Sequence, residues 1–170
     1  KASSDEWLDV MRQAHHAGLR STATMMYGSV ETPEERLEHM LRLRALQDET
    51  GGFTAFIAWS YQPEHTELSG VEATGVEYLR TLATARIVLD NVPSLQSSWV
   101  TMGHKVGQVA LRFGANDYGS LMMEENVVSA AGTTYRATLG EMQRVIADAG
   151  FTPRRRRQDY SLIEAAAVAA

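Results

Sequence analysis

The stretch TPEERLEHMLRLRALQDETGGFTAFIAWS, residues 32–60, places a helix directly before a buried strand. Thr32 can cap the helix, Pro33 suits its first position, and a glutamate three residues after the cap completes the capping-box pattern. Gly51 ends the helix. Residues 53–59 are almost continuously apolar, which is typical of a parallel strand buried on both faces. The stretch therefore predicts one unit of an α/β fold.

The flanking sequence repeats this alternation. Helices are predicted at residues 5–17, 74–89, 105–113, 124–131 and 139–149, and strands at 19–25, 95–100, 115–118 and 154–160. Strands that alternate with helices predict right-handed βαβ units and a parallel sheet. We expect about four βα units, which is half of an eightfold barrel with a usual length of about 250 residues.

The domain organisation is simple. The 170 residues include 44% apolar and 22% charged residues, an ordinary globular balance. No linker-like boundary interrupts the alternation. The sequence predicts one domain over residues 1–160 and an alanine-rich tail over 161–170.

Composition also bears on partners and location. The net charge of −5 disfavours a nucleic-acid partner, because phosphate binding needs a basic surface. No apolar run approaches the roughly 18 residues of a membrane span, and the first residues contain no secretory signal, so we expect a cytoplasmic protein. The absence of cysteine excludes disulfides and cysteine-ligated metal centres from this chain, and no metal site is predicted.

Ligands of a parallel βα fold bind at the carboxyl ends of its strands. Four polar loops follow the predicted strands, at residues 26–31, 60–70, 101–104 and 116–123. Trp59 and Trp99 end predicted strands, and each is either barrel-core packing or the wall of a substrate pocket. His65 lies beside Glu64 in the second loop, where the pair is either part of a site or ordinary loop surface.

Two conspicuous groups of side chains are predicted to face solvent. The pair His15 and His16 ends a helix and has no acidic partner at metal-binding spacing. Residues 154–157 are four consecutive arginines without interleaved aromatic residues, which favours a solvated strand or tail.

Several segments, taken in order along most of residues 7–160, resemble the radical S-adenosylmethionine enzymes of the futalosine pathway to menaquinone. The matching segments are residues 21–28, 30–32, 46–53, 62–64, 89–91, 99–100, 112–117, 124–128 and 130–132. The Ser-Thr-Ala-Thr run at 21–24 and Trp-Val-Thr at 99–101 are most similar to the dehypoxanthine futalosine cyclases. Aminofutalosine synthases and a subunit of the F420-precursor synthase are close relatives.

The resemblance implies the C-terminal half of a TIM-type (β/α)8 radical-SAM barrel. It implies a 4Fe–4S cluster held by a Cys-x-x-x-Cys-x-x-Cys loop after the first strand, upstream of this chain. It also implies that S-adenosylmethionine is cleaved to a 5′-deoxyadenosyl radical, which takes a hydrogen from a nucleoside-like substrate before ring closure. The protein would position the reactants and exclude water.

The resemblance further implies two sets of binding residues. The family's motif Gly-x-Ile-x-Gly-x-x-Glu, which helps to hold the adenosine of S-adenosylmethionine, corresponds to Thr24, Met26, Gly28 and Glu31, of which only the last two match in type. Ser29 stands where a histidine is expected. The implied substrate contacts are Gln62, Glu64, Asn116 and Asp117.

Three alternatives remain open at this point. The chain could belong to another radical-SAM activity, such as that of an aminofutalosine synthase or F420-precursor synthase. It could be a non-catalytic half-barrel used for binding or assembly, or a metal-free α/β enzyme that uses His65 with Glu64. Because a half-barrel leaves sheet edges and interior side chains uncovered, we expect either self-association or a missing N-terminal half.

Overall fold

The structure, a computed structural model, describes residues 2–64, 66, 72–121 and 135–163. The elements in chain order are α1 (Ser4–His16), β1 (Ser21–Tyr27), α2 (Pro33–Thr50), β2 (Phe53–Ser60), α3 (Gly75–Val88), β3 (Ser94–Gln96), α4 (Trp99–Ala110) and α5 (Leu139–Asp148). The predicted α/β class and the order of these elements are confirmed. The predicted helix at 124–131 and most of the tail lie outside the described residues.

Local capping explains where the helices begin. The Thr32 hydroxyl accepts a hydrogen bond from the Glu35 N–H, and the Glu35 carboxylate accepts one from the Thr32 N–H. The same reciprocal pair forms at the starts of α1 and α5. Gly51 ends α2 in the left-handed region at φ 61°, which glycine adopts at little cost. The capping predicted for residues 32–51 is confirmed.

The described sheet has three parallel strands in the order β1-β2-β3. One of its faces packs under the helices and contributes the centre of the hydrophobic core. The fully buried side chains of this face are Ala23, Met25, Tyr27, Phe56, Ala58 and Leu95. Each large side chain of this kind contributes roughly 1.5–3 kcal/mol by leaving water. The predicted parallel sheet is thus confirmed over three strands, without a closed barrel in the described residues.

Among the described residues, no helix covers the other face of the sheet, which we call the open face. Its side chains alternate with those of the core, as the two-residue period of a strand requires. Most of them are exposed or half-buried: Thr22, Thr24, Met26, Ile57, Trp59 and Gln96; Ala55, the register partner of Thr22, is buried. Strand register joins them in two rows across the sheet, one of Thr24, Ile57 and Gln96 and one of Met26 and Trp59.

The prediction for residues 95–100 was wrong at its second half. The strand ends at Gln96, and Trp99 begins α4. The Ser98 N–H donates to the Tyr78 hydroxyl and the Ser98 hydroxyl donates to the Ala58 carbonyl at 2.5 Å, so the chain leaves the sheet there. Helix α4 therefore begins before the predicted position 105, and Gly103 interrupts it at φ 75° and ψ 165°.

The two further strands predicted at 115–118 and 154–160 are reduced to single bridges. Gln96 pairs with Asp117 in parallel, and Arg156 pairs with Leu162 in antiparallel fashion. Beside the bridge between Gln96 and Asp117, the Leu95 N–H donates to the side-chain amide oxygen of Asn116 at 2.8 Å. This side chain takes the place of a backbone carbonyl as the acceptor.

His15 is buried, so the prediction of a solvent-facing His15 was wrong, whereas His16 is exposed as predicted. The end of α1 lies against the amino end of the sheet, and the imidazole packs edge-on against Phe53. Its Nδ1 lies 2.7 Å from the Thr50 hydroxyl and its Nε2 lies 2.9 Å from the Ser21 hydroxyl. Because the Thr50 hydroxyl donates to a carbonyl of α2, it accepts from Nδ1–H.

None of the described helices combines the length and the apolar character that a membrane span needs.

Candidate functional site

The carboxyl ends of the three strands meet at one edge of the sheet, and hydrogen bonds join the loops that leave them. The Tyr61 N–H donates to the Tyr27 carbonyl at 2.7 Å, which links the loop after β2 to the end of β1. The Ser60 hydroxyl lies 3.2 Å from the Met102 sulfur, which links β2 to α4. The edge is therefore one continuous surface, as expected for the ligand end of a parallel fold.

The loop after β1 is organised around the Glu31 carboxylate. One oxygen accepts the Gly28 N–H at 2.5 Å and the other accepts the Ser29 N–H at 3.0 Å. Arg36, from the second turn of α2, donates to the same carboxylate at 2.8 Å and to Glu77 of α3 at 2.8 Å. Glu31 thus holds the loop and connects it to two helices.

The electrostatics of Glu31 follow from these contacts. Burial opposes ionisation, but the N–H donors of Gly28 and Ser29, together with the Arg36 guanidinium, outweigh it and lower the pKa of Glu31 to about 2. The carboxylate is ionised at neutral pH, and its oxygens are already engaged within the protein.

Thr24 and Met26 lie on the open face, where Met26 is 60% exposed. Gly28 follows directly after the strand at φ 88°, and a β-carbon there would meet Ala73 only at ordinary contact distance. Backbone conformation, rather than lack of space, is therefore what requires glycine at this turn. The structure places all four predicted cofactor-binding residues within this strand and its loop.

Gln62 and Glu64 lie in the loop after β2. The Gln62 amide donates to the Ser60 hydroxyl at 3.1 Å and to the Ser60 carbonyl at 3.3 Å, which turns its side chain back toward the strand end. Glu64 is exposed. His65 lies outside the described residues.

Asn116 supports the backbone of β3. Its amide oxygen accepts from the Leu95 N–H and from Arg86 at 3.0 Å, and its amide nitrogen donates to the Pro93 carbonyl at 2.9 Å. These bonds engage both ends of the amide. Asn116 and Asp117 are adjacent in sequence, and Asp117 is the bridge partner of Gln96, the last residue of β3.

Asp117 forms an ion pair with Arg156, and its side chain is only 8% exposed. It also accepts the Gly119 N–H at 2.6 Å. The Arg156 guanidinium stacks on the ring of Tyr160 at 3.9 Å, so Arg156 is half-buried and departs from the solvated arginine run that the sequence predicts. The C-terminal segment therefore holds the loop that carries Asp117.

The predicted loop at 101–104 is part of α4. His104 stacks on Trp99 at 4.9 Å, and its Nε2 donates to the Arg136 carbonyl at 2.8 Å. Its Nδ1 lies 3.2 Å from the Tyr118 hydroxyl. These contacts tie the kinked helix to the segment before α5.

Sequence reasoning missed three contributors: Arg36, Gln96 and Arg156. Arg36 pairs with Glu31 and Arg156 pairs with Asp117, both of which are predicted site residues. A local sequence pattern does not indicate which distant side chains will meet. Gln96 joins the open face through its register with Ile57. The alternation of threonine with apolar residues at positions 22–25 of β1 could have indicated that one face is not core.

Two features bear on bound groups. No cluster of three or more metal-binding side chains occurs among the residues that the structure describes, and the whole chain lacks cysteine. The open face carries apolar and polar side chains side by side and is bordered by the polar loops at the strand ends.

In the described part of the chain, the outer edge of β1 pairs with no other strand, and we call it the free edge of β1. A groove of about 780 Å³ runs beside this edge, between α1 and α2. Leu8 and Met11 supply apolar walls, and Thr22 supplies part of the strand edge. His39 also lines the groove, and its Nε2 is buried without a partner in the described part of the chain.

Comparison with known proteins places these features in a family. The chain is 49% identical to a cyclic dehypoxanthine futalosine synthase of Streptomyces coelicolor over 94% of its own length and 40% of that protein. It is 44% identical to an aminodeoxyfutalosine synthase of Thermus thermophilus, over 90% of this chain and 43% of that protein. A 5-amino-6-(D-ribitylamino)uracil–L-tyrosine 4-hydroxyphenyl transferase of Methanosarcina acetivorans is 41% identical, over 98% and 47% respectively.

The chain thus spans less than half the length of these curated relatives. Residues 50–168, well over half of the chain, match the family described as the CofH/MqnC C-terminal region. The chain belongs to this CofH/MqnC C-terminal family.

Proposed function

We propose that this chain is the C-terminal half of a radical-SAM enzyme that cyclises dehypoxanthine futalosine in menaquinone biosynthesis. The observation that carries the proposal is the 49% identity, over nearly the whole chain, to a cyclic dehypoxanthine futalosine synthase. In this view the described sheet is part of a TIM-type barrel, and its open face lines the barrel interior.

The upstream half of the same protein would complete the barrel. The free edge of β1 can pair with a further parallel strand, and the neighbouring groove, with the apolar side chains Leu8 and Met11, can accept that strand's outward side chains. The relatives' greater length supplies enough chain for this half.

The residues of β1 fit the proposed S-adenosylmethionine site. Thr24 and Met26 present exposed side chains on the open face, and Gly28 makes the turn directly after them. Glu31 would act indirectly, because its oxygens already hold the Gly28 and Ser29 N–H groups. Since this chain has no cysteine, the 4Fe–4S cluster would be ligated by the upstream half.

When bound, S-adenosylmethionine and the cluster together supply a 5′-deoxyadenosyl radical. This chain would then bind and orient the nucleoside-like substrate at the strand ends, where Gln62, Glu64, Asn116 and Asp117 remain the proposed contacts. Because Asn116 and Asp117 are already bonded within the protein, they support the proposal chiefly as residues that shape the loop. Exclusion of water would follow from barrel closure.

Anaerobic turnover by the full-length enzyme tests the proposal. With S-adenosylmethionine, a reductant and dehypoxanthine futalosine, we expect both 5′-deoxyadenosine and a cyclised product by mass spectrometry. A cluster-loaded, folded enzyme that forms neither product would refute the enzymatic reading and favour a non-catalytic half-barrel.

An aminofutalosine synthase is the second candidate, supported by the 44% identical relative from Thermus thermophilus. Both candidates use the same open face, so the fold does not separate them. Turnover of that enzyme's own substrate, without turnover of dehypoxanthine futalosine, would favour this candidate.

A further inference from the structure

Trp59 occupies a central position on the open face. It is the second-last residue of β2, and its Cα is the register partner of Met26 on β1. The indole is half-buried, whereas its neighbours in sequence, Ala58 and Ser60, are buried on the core side. Trp59 therefore borders the space above the carboxyl half of the sheet.

The indole nitrogen of Trp59 is buried and has no hydrogen-bond partner among the residues that the structure describes. Nearly all buried polar atoms in folded proteins are paired, because an unpaired donor loses its bond to water without replacement. Three other buried atoms lack a partner among the described residues: the Tyr27 hydroxyl lies on the core side of β1, and the atoms of His39 and Asn91 belong to α2 and to the turn after α3. The Trp59 N–H is thus the unpaired donor that belongs to the open face.

The chemistry of indole limits what can satisfy this donor. The N–H only donates, so its partner must be an acceptor oxygen or ring nitrogen, and the flat ring favours a planar molecule beside it. Trp59 lies next to β1, which carries the proposed cofactor residues, and three residues before Gln62, a proposed substrate residue.

From this geometry we propose that Trp59 binds the substrate, donating its indole N–H to an acceptor on the aromatic part of the nucleoside-like molecule. The inference rests on the proposed function and adds a substrate-binding residue to it. An unpaired buried donor lowers the stability of the ligand-free protein, and a ligand that accepts its hydrogen bond removes this penalty. The site therefore selects molecules that carry a matching acceptor.

The test compares the full-length enzyme with its Trp59→Phe variant, which keeps an aromatic ring and removes the donor. We expect the Kd and KM for dehypoxanthine futalosine to rise about tenfold, as for loss of one buried hydrogen bond. We expect the Kd for S-adenosylmethionine to stay unchanged, and 5′-deoxyadenosine formed without product to increase. The Tm of the ligand-free variant should equal or exceed that of the wild type.

Trp7→Phe is the matched control, because Trp7 stacks near Phe53 at the opposite end of the same strand. It should leave the substrate Kd unchanged. A lower ligand-free Tm for Trp59→Phe would mean that the indole is structural, and a weaker S-adenosylmethionine Kd would assign the donor to the cofactor; either result overturns the inference.

The two proposals fail in different ways. Wild-type enzyme that makes cyclised product, with Trp59→Phe matching it in substrate Kd, overturns the inference alone. Wild-type enzyme that neither binds nor converts dehypoxanthine futalosine overturns the proposed function and this inference with it.

Discussion

At the scale of single residues, Glu31 has the clearest physical role. Its carboxylate satisfies two backbone N–H groups of the loop after β1 and pairs with Arg36, and its side chain is 20% exposed. Charge-assisted hydrogen bonds of this kind are stronger than neutral ones. The residue therefore stabilises the loop conformation that follows the proposed cofactor strand.

Replacing Glu31 by Gln should destabilise the full-length protein by about 1–3 kcal/mol, because the neutral amide loses the charge-assisted bonds. The matched control is Glu34→Gln, an exposed residue in the first turn of α2, with an expected effect below about 0.5 kcal/mol. Chemical denaturation at pH 7 measures both. Equal effects of the two substitutions would contradict the role of Glu31.

The same carboxylate has a defined pH dependence. Its pKa in the folded state, about 2, lies below the ordinary value of 4.5, so the unfolded state binds the proton first as pH falls. The stabilisation by Glu31 is therefore complete above about pH 4.5 and declines toward pH 2.

At the scale of elements, His15 joins the ends of two helices to the sheet. Its imidazole bonds to Thr50 at the end of α2 and to Ser21 at the start of β1. Gly52 passes directly over the ring, since a β-carbon at that position would lie 2.1 Å from it. Burial, with a smaller effect of His16, lowers the pKa of His15.

Protonation should therefore weaken this junction. Because the folded-state pKa lies below that of the unfolded chain, the unfolded state takes up the proton first, and the free energy of unfolding should fall as pH drops below about 6.5. His15→Gln should lower stability at pH 7.5 by about 1–3 kcal/mol and flatten this pH dependence.

Denaturant unfolding between pH 5 and pH 7.5 measures the effect, with His16→Gln as the exposed control. His39, whose pKa is also lowered by burial and by Arg42, contributes in the same direction and should leave a residual slope. An unchanged slope in His15→Gln would show that His15 does not control the pH response.

At the scale of the whole molecule, the chain has one covered and one uncovered sheet face. The open face and the free edge of β1 expose apolar side chains and unpaired backbone, which promotes association with other chains. An upstream half would cover both surfaces at once.

The isolated 170-residue chain should therefore self-associate, and adding the separately produced upstream half should replace self-association with a one-to-one complex. Sedimentation velocity measures both states. Met26→Lys, on the open face, should reduce self-association, whereas Ile87→Lys, which replaces a 77% exposed residue of α3, should not. A monodisperse 18.8 kDa monomer would contradict this expectation.

Much of the fold could be predicted from local patterns. The capping pair of Thr32 and Glu35, the stop at Gly51 and the apolar run of β2 each rest on neighbours within a few residues, so the chain itself specifies them. The end of β3 was not predictable in this way, because Ser98 leaves the sheet through bonds to Tyr78 and Ala58, which are 20 and 40 residues away.

The sequence by itself determined the α/β alternation, the helix boundaries set by caps and the strand-end loops that carry the candidate residues, since these depend on short-range geometry and on the period of apolar residues. Only the tertiary structure decided that Arg36 and Arg156 neutralise Glu31 and Asp117, that His15 is buried, and that the Trp59 N–H finds no partner among the described residues. Burial and charge pairing depend on which distant segments meet, and that is a property of the packed chain.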